Sequence, residues 1–275
     1  MAKERILIAV KTYPTLSNKY IELVCTAGFR EDGSWIRIYP SPFRFLEQEK
    51  KYAKYQWIDL ELDKNPRDSR PESYRPINID EILLGERIST ENGWEARRKL
   101  ILERNPIHTN LEQIISGAKR NEFSLAIFKP TEILDFIVKR TETDWKVNRK
   151  RAAEESLRQG SLFNDNENTD FKLVQKLPYK FSYRFKDDVG KISQLMIEDW
   201  EIGQLYWNCR KKYDEETSIQ KVKEKYLDDF AKTKDLFLFL GTTYEHHMRK
   251  ALNPYVIIGT FHPPIQMPKA QLDLF

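Results

Sequence analysis

Between Arg5 and Tyr39 short apolar runs alternate with turn residues, which predicts three consecutive strands. Ile6-Leu7-Ile8-Ala9-Val10 is continuous and apolar and stops at Tyr13-Pro14, while residues 20–27 are rich in β-forming side chains. Trp35-Ile36-Arg37-Ile38-Tyr39 alternates, and Asp32-Gly33 just before it is a strong hairpin signal, because glycine supplies the positive φ that tight turns need. At a two-residue period Ile36 and Ile38 share one face of that strand and Trp35, Arg37 and Tyr39 the other. The isoleucines are expected in the core, which leaves the Trp-Arg-Tyr face either covering solvent or acting as a stacking platform. Pro40-Ser41-Pro42 breaks the run, residues 43–55 read as a short basic helix, and residues 57–63 read as a strand alternating apolar with acidic positions. Residues 65–76 then form a loop holding three arginines and three prolines. Proline stiffens such a loop, and stiff polar loops commonly carry function.

Helices are expected at 89–104 and 110–120, with Asn110 a better cap for the second than Ser89 is for the first. Strands follow at 123–128 and 133–138 on either side of Lys129-Pro130, then a strongly charged helix at 144–159. Residues 159–170 are polar and asparagine-rich and read as a flexible linker. Beyond it, residues 179–185 and 192–197 read as strands around an Asp187-Asp188-Val189-Gly190 turn. Asp199 is expected to cap a helix reaching Cys209, and a second charged helix spans 217–232. Residues 236–240 and 255–261 are continuous apolar runs, the pattern of strands buried on both faces. This order predicts an α+β fold of two small β-barrel-like halves with helical insertions, not a parallel βαβ sheet. The expected divisions are an N-terminal half at 1–158, the linker at 159–170, a C-terminal half at 171–262 and an extended tail at 263–275.

Composition narrows the classes. With 275 residues, 40% hydrophobic and 32% charged, the chain suits one large or two small domains with a heavily charged surface. The 46 basic residues nearly balance 42 acidic ones, leaving a net charge of +4, which is compatible with a local nucleic-acid patch but does not demand one. The two cysteines, Cys25 and Cys209, make neither a disulfide framework nor a cysteine-only zinc site. No signal-peptide-like apolar region follows Met1 and no run approaches a membrane span, so a cytoplasmic location is expected.

Candidate chemistry is sparse. Asp59, Glu61 and the nearby Lys64 resemble the carboxylate and lysine set of metal-dependent nucleases, in which carboxylates hold Mg²⁺ and lysine orients water. Asp63 shares the same face, and the alternation equally describes a half-exposed strand with solvated acids. His246 and His247 with Glu245 could ligate a metal, although no third ligand stands at a recognisable spacing. Thr242, Thr243 and His246 are alternatively donors for a phosphate or a base. There is no phosphate-cradling glycine loop, Gly-x-Ser-x-Gly or HExxH, and no cofactor is expected.

Several motifs are shared with a known pattern. Cys25-Thr26-Ala27-Gly28, then Asp32-Gly33-x-Trp35-Ile36-Arg37-Ile38-Tyr39-Pro40, then Arg70-Pro71-Glu72-Ser73-Tyr74 resemble a dual OB-type bacterial family. The resemblance covers roughly 5–76 and, more loosely, 179–261. It implies two OB-like halves and a nucleic-acid ligand. A single strand needs cations for its phosphates and flat faces for its bases, and Arg37, Tyr39, Arg44, Arg67, Arg70 and Arg75 are the candidates. The bland alternative is that these arginines are surface charges or pair with Asp59, Glu61 and Glu72.

The last five residues are the most specific signal. Pro263-Pro264-Ile265-Gln266-Met267-Pro268 reads as an extended strap, after which come Gln271-Leu272-Asp273-Leu274-Phe275. All five resemble the linear motif by which bacterial polymerases and repair proteins bind the DNA sliding clamp. Gln159-x-x-Leu162-Phe163 is a degenerate copy lacking one hydrophobic position. The resemblance implies a DNA-associated accessory protein recruited to the clamp in a repair, mobile-element or defence role. One alternative is a metal-dependent nuclease or modified-base-processing enzyme targeted by the same tail. Another is a clamp-independent binding module whose tail packs on its own domain.

Overall fold

The Asp32-Gly33 turn closes as its sequence predicts. Gly33 takes φ +90°, and the Asp32 side chain accepts from the Ser34 amide at 2.8 Å. The strands it joins belong to a sheet in a computed structural model that describes residues 3–17, 21–163 and 172–266. The clamp-like motif at 271–275 and most of the expected linker, 164–170, lie outside the described residues.

The first sheet contains β1 (Glu4–Lys11), β2 (Thr15–Ser17), β3 (Ile21–Arg30), β4 (Trp35–Ser41), β5 (Gln56–Leu60), β6 (Leu62–Lys64), β7 (Ser73–Pro76) and β8 (Leu83–Arg87). Their order is β6-β7-β4-β3-β1-β5-β8, with β2 on β3. Glu61 alone separates β5 from β6, yet the two strands lie toward opposite ends of this path. The sheet therefore curls until its ends approach. Its neighbours pair antiparallel except β4 with β7, which run parallel. Ile6, Ile8, Ile36, Ile38, Ile58 and Leu60 fill the curl, each fully buried apolar side chain contributing about 1.5–3 kcal/mol. Gly28 on β3 is required by a close approach, since a Cβ there would stand 2.2 Å from the Leu7 carbonyl oxygen.

The chain continues through α1 (Glu91–Ile101), β9 (Ile107–His108), α2 (Leu111–Lys119), β10 (Leu125–Phe128), β11 (Glu132–Arg140) and α3 (Val147–Phe163). Then come β12 (Tyr179–Lys186), β13 (Ile192–Met196), α4 (Trp200–Arg210), α5 (Glu215–Lys223), a π-helical segment (Glu224–Ala231), β14 (Phe237–Thr242), α6 (Tyr244–Met248) and β15 (Tyr255–Phe261). These make a sheet of order β15-β14-β10-β9 and another of order β11-β12-β13, joined by a parallel bridge between Ile197 and Ile257. Every residue of β14 and β15 is buried. Asn110 and Asp199 cap α2 and α4, accepting from the Gln113 and Glu201 amides.

The molecule is thus a mixed α+β fold dominated by sheets. A shared apolar seam joins its two parts: Ala9, Val10 and Phe29 pack with Ile127, Phe239 and Phe261. Local expectations fail in four places. Residues 43–55 hold two 3₁₀ turns, Phe43–Phe45 and Gln48–Lys50, because the prolines before them and the extended backbone at Leu46 leave no room for a full helix. The strand expected at 57–63 divides at Glu61, where the sheet turns its corner. Helix α3 runs through Phe163, so Gln159-x-x-Leu162-Phe163 lies on a helix rather than in a linker. The helix expected at 217–232 widens into the π-helical turns.

Candidate functional site

The predicted nucleic-acid residues do not share one exposed surface. Arg37 is 1% exposed and Arg70 5% exposed, so neither reaches a groove. Arg37 Nη1 donates to Ser124 Oγ at 2.8 Å, and Ser124 N and Oγ each donate to Glu72 at 2.7 Å. Arg70 forks onto Asp68 at 2.6 and 2.8 Å and donates to the Thr242 carbonyl at 2.6 Å. Burial pushes the Asp68 carboxyl up, but the Arg70 bonds and charge outweigh it and hold it down to about 2. The two arginines thereby tie the 68–73 loop and β4 to β10 and β14. Arg70 was expected outward because its loop reads as polar, and Arg37 because the face opposite Ile36 and Ile38 reads as solvent-covering or as a stacking platform. That face instead meets the second sheet, with Trp35 5.5 Å from Phe239.

The others divide. Tyr39 is half-buried and its carbonyl accepts from Asn65; Arg44 pairs with the buried Glu22 at 2.5 Å. Arg67 is exposed, and Arg75 is exposed and paired with Asp63 at 3.2 Å. Asp59 and Glu61 are half-buried on the outer side of strands whose Ile58, Leu60 and Leu62 face the core, and Lys64 lies 4.4 Å over the Tyr74 ring. His246 is exposed, whereas His247 is buried with Nε2 2.8 Å from Asn121 Oδ1. Among the described residues no group of three His, Cys, Asp or Glu side chains is placed to hold a metal ion. Thr242 is buried and Thr243 is used as the α6 cap, so they do not form an open phosphate site. Thr242 Oγ1 and Tyr255 Oη, on directly opposed residues of β14 and β15, are buried without a hydrogen-bond partner.

A different set of residues does converge. Where the two parts of the chain meet, a cavity of about 290 Å³ opens between the segment before β5, the start of α1, α4 and the π-helical turns. Its first wall comes from Lys54 and Tyr55, with Tyr55 in the left-handed region at φ 61°. Its second comes from α1, whose opening residues Asn92, Gly93 and Trp94 all have positive φ, between 50° and 67°. That turn swings the Trp94 ring to 5.5 Å from Phe261. The third wall is the π-helical segment, which supplies Tyr226 and Phe230. Such wide turns recur at functional sites. His262, just beyond β15, stacks on Phe230 with centroids 3.6 Å apart.

Charge at the cavity is lopsided: Lys54, Arg87, Arg97 and Lys225 line it against Glu201. Lys54 Nζ donates to Glu201 at 2.8 Å and to the Thr260 carbonyl at 3.2 Å, and stands 3.8 Å from Asp199. Burial works against its charge, but the two carboxylates outweigh it and hold Lys54 firmly protonated. Burial raises Asp199, whose Oδ2 is buried without a hydrogen-bond partner; Glu201, despite its own desolvation, is held low by Lys54. Burial also pushes Tyr55 up to about 12 and His262 down to about 3. Arg97 lies 4.1 Å over Tyr55 and 4.9 Å over Trp94, donating to the Ile88 carbonyl at 2.7 and 3.0 Å. Arg87 and Lys225 are exposed at the mouth.

None of these residues stood out in the sequence. The available signals were Asn92-Gly93 inside a helical pattern and a histidine directly after the last strand. Neither names its distant partners.

Residues 107–275 match the family described as Domain of unknown function (DUF8757), and the chain belongs to that family. Residues 2–103 match the one described as Domain of unknown function (DUF8758). No curated protein matches the chain. Among solved structures, one described as "Structure of murine DNA binding protein bound with ds DNA" is similar at 10% identity and a TM-score of 0.31, over 98% of this chain and 99% of that one. Among the described residues no helix is long and apolar enough to cross a membrane.

Proposed function

We propose that the chain is a DNA-associated accessory protein whose body binds nucleic acid and whose terminal Gln271-Leu272-Asp273-Leu274-Phe275 docks on the bacterial replication sliding clamp. The observation that carries the nucleic-acid part is the cavity at the junction of the two parts, where four cations and five rings meet one carboxylate. Phosphates require the first and bases the second.

The strand paths support an OB-like reading of both parts. In the first, β1-β3-β4 is followed by the parallel neighbour β7, then β6, which returns through β5 to β1. In the second, β11-β12-β13 is followed by the parallel bridge to β15, then β14, which pairs with β10 just before β11. Both paths have the outline of a partly open five-stranded Greek-key barrel, an architecture used repeatedly for oligonucleotides. The tail adds location, because all five of its residues agree with the clamp-binding pattern.

Retention of labelled single- and double-stranded DNA across a salt series tests the body. Binding that weakens steeply with salt is expected, since each neutralised phosphate releases counterions. Absence of DNA retention at low salt would remove this half of the proposal.

A further inference from the structure

We infer that the cavity between Trp94 and the π-helical segment receives a single nucleotide, its base among the rings and its phosphate at the mouth against Arg87 and Lys225. Size sets the first limit. About 290 Å³ lies at the small end of ligand sites, which run roughly 300–1,000 Å³, so the space suits one nucleotide and not a dinucleotide.

The walls set the second limit. Trp94 and His262 are the part-exposed rings of the wall, backed by the buried Tyr55 and Phe230, and any base has a π-face to lay against them. His262, kept neutral by burial, adds a ring without adding charge. Arg97 is committed to the Ile88 carbonyl and the Tyr55 face, so it stiffens the wall and is not the phosphate clamp. Arg87 is exposed at the rim and so is Lys225, whose Asp229 partner at 2.6 Å leaves two of its three ammonium protons for another acceptor. On the wall, the exposed Glu201 carboxylate brings an acceptor for a base edge that carries an amino group, while Lys54 is committed to Glu201 and the Thr260 carbonyl and holds that carboxylate in place. An excess of cations with aromatic walls selects a flat, anionic, aromatic ligand, and a nucleotide is that.

The nucleotide has two possible sources, a free mononucleotide or a nucleotide turned out of a bound strand. Only the second rests on the DNA-binding reading.

Calorimetric titration of the full chain with each of the four deoxynucleoside 5′-monophosphates, with ribose 5-phosphate as the base-free control, tests the site. At least one mononucleotide should bind about 10-fold or more tightly than the sugar phosphate. Arg87→Glu, an exposed exchange that leaves the core untouched, should weaken it by about 10-fold. A single-stranded oligonucleotide with one 2-aminopurine separates the sources, because its emission rises when that base leaves the stack.

Mononucleotide binding without oligonucleotide binding upholds the cavity and removes the DNA reading. A rise in emission that Arg87→Glu abolishes upholds the strand source. Oligonucleotide retention with unchanged emission and no mononucleotide binding overturns the cavity proposal while leaving DNA binding intact. Equal affinity for nucleotide and ribose 5-phosphate, or native affinity in Arg87→Glu, overturns it as well.

Discussion

Glu72 shows how far a side chain's role depends on what faces it. Its carboxylate accepts from Ser124 N and Oγ, and Ser124 in turn accepts from buried Arg37. Glu72→Ala would strip that chain of its only anionic end, and urea denaturation should show a loss of about 3–5 kcal/mol, the usual result of leaving a buried charge uncompensated. Arg67→Ala, at an exposed position nearby, should stay within about 0.5 kcal/mol of the native chain. His262 makes the pH-dependent counterpart. Folded, its pKa is held down to about 3 by burial, whereas the free imidazole titrates near 6.5. Between those values the unfolded chain binds the proton first, so stability contributed above pH 6.5 is lost as pH falls through the window. Asp199 acts in the opposite sense, because its raised pKa lets the folded state bind a proton first. Stability curves of His262→Phe should therefore fall less steeply toward acid than those of the native chain; an unchanged slope would contradict the burial account.

At the scale of elements, local signals were legible and the covering of faces was not. The Asp32-Gly33 turn, the Asn110 and Asp199 caps and the all-buried β14 and β15 follow from a few neighbouring residues. Arg37 was misplaced because alternation along β4 gives two faces without saying that a second sheet covers the one opposite Ile36 and Ile38. The cavity was invisible for a related reason: its walls come from Lys54 through His262, and no short-range period links them. The left-handed opening of α1 is its most local ingredient. Gly93→Ala adds a Cβ that meets nothing within 4 Å, so its cost is backbone conformation alone, about 1 kcal/mol. Gly28→Ala should cost clearly more, because the new Cβ collides with the Leu7 carbonyl. Thermal melts of the two variants compare these directly, and equal losses would contradict the distinction.

Across the whole molecule, the seam between the first sheet and β10, β14 and β15 is what positions the cavity. Phe239 touches both sides of it, 6.0 Å from Phe29 and 6.1 Å from Phe261. Phe239→Ala should cost about 3–5 kcal/mol in urea denaturation and lower the stability of both parts together. Loss confined to the second part would show that the seam does not couple them. Coupling matters to the proposed role, since the cavity draws walls from both parts and opens only while they stay joined. The proposed clamp docking needs no such cooperation, because it rests on the five residues at 271–275 alone. The most direct test of the account is therefore a calorimetric titration of a purified bacterial sliding clamp, comparing the intact chain with one lacking residues 271–275. Saturable binding by the intact chain, weakened about 100-fold or more by the deletion, is the predicted result, since two or more apolar anchors worth roughly 1.5–3 kcal/mol each are removed. Equal behaviour of the two chains would contradict it.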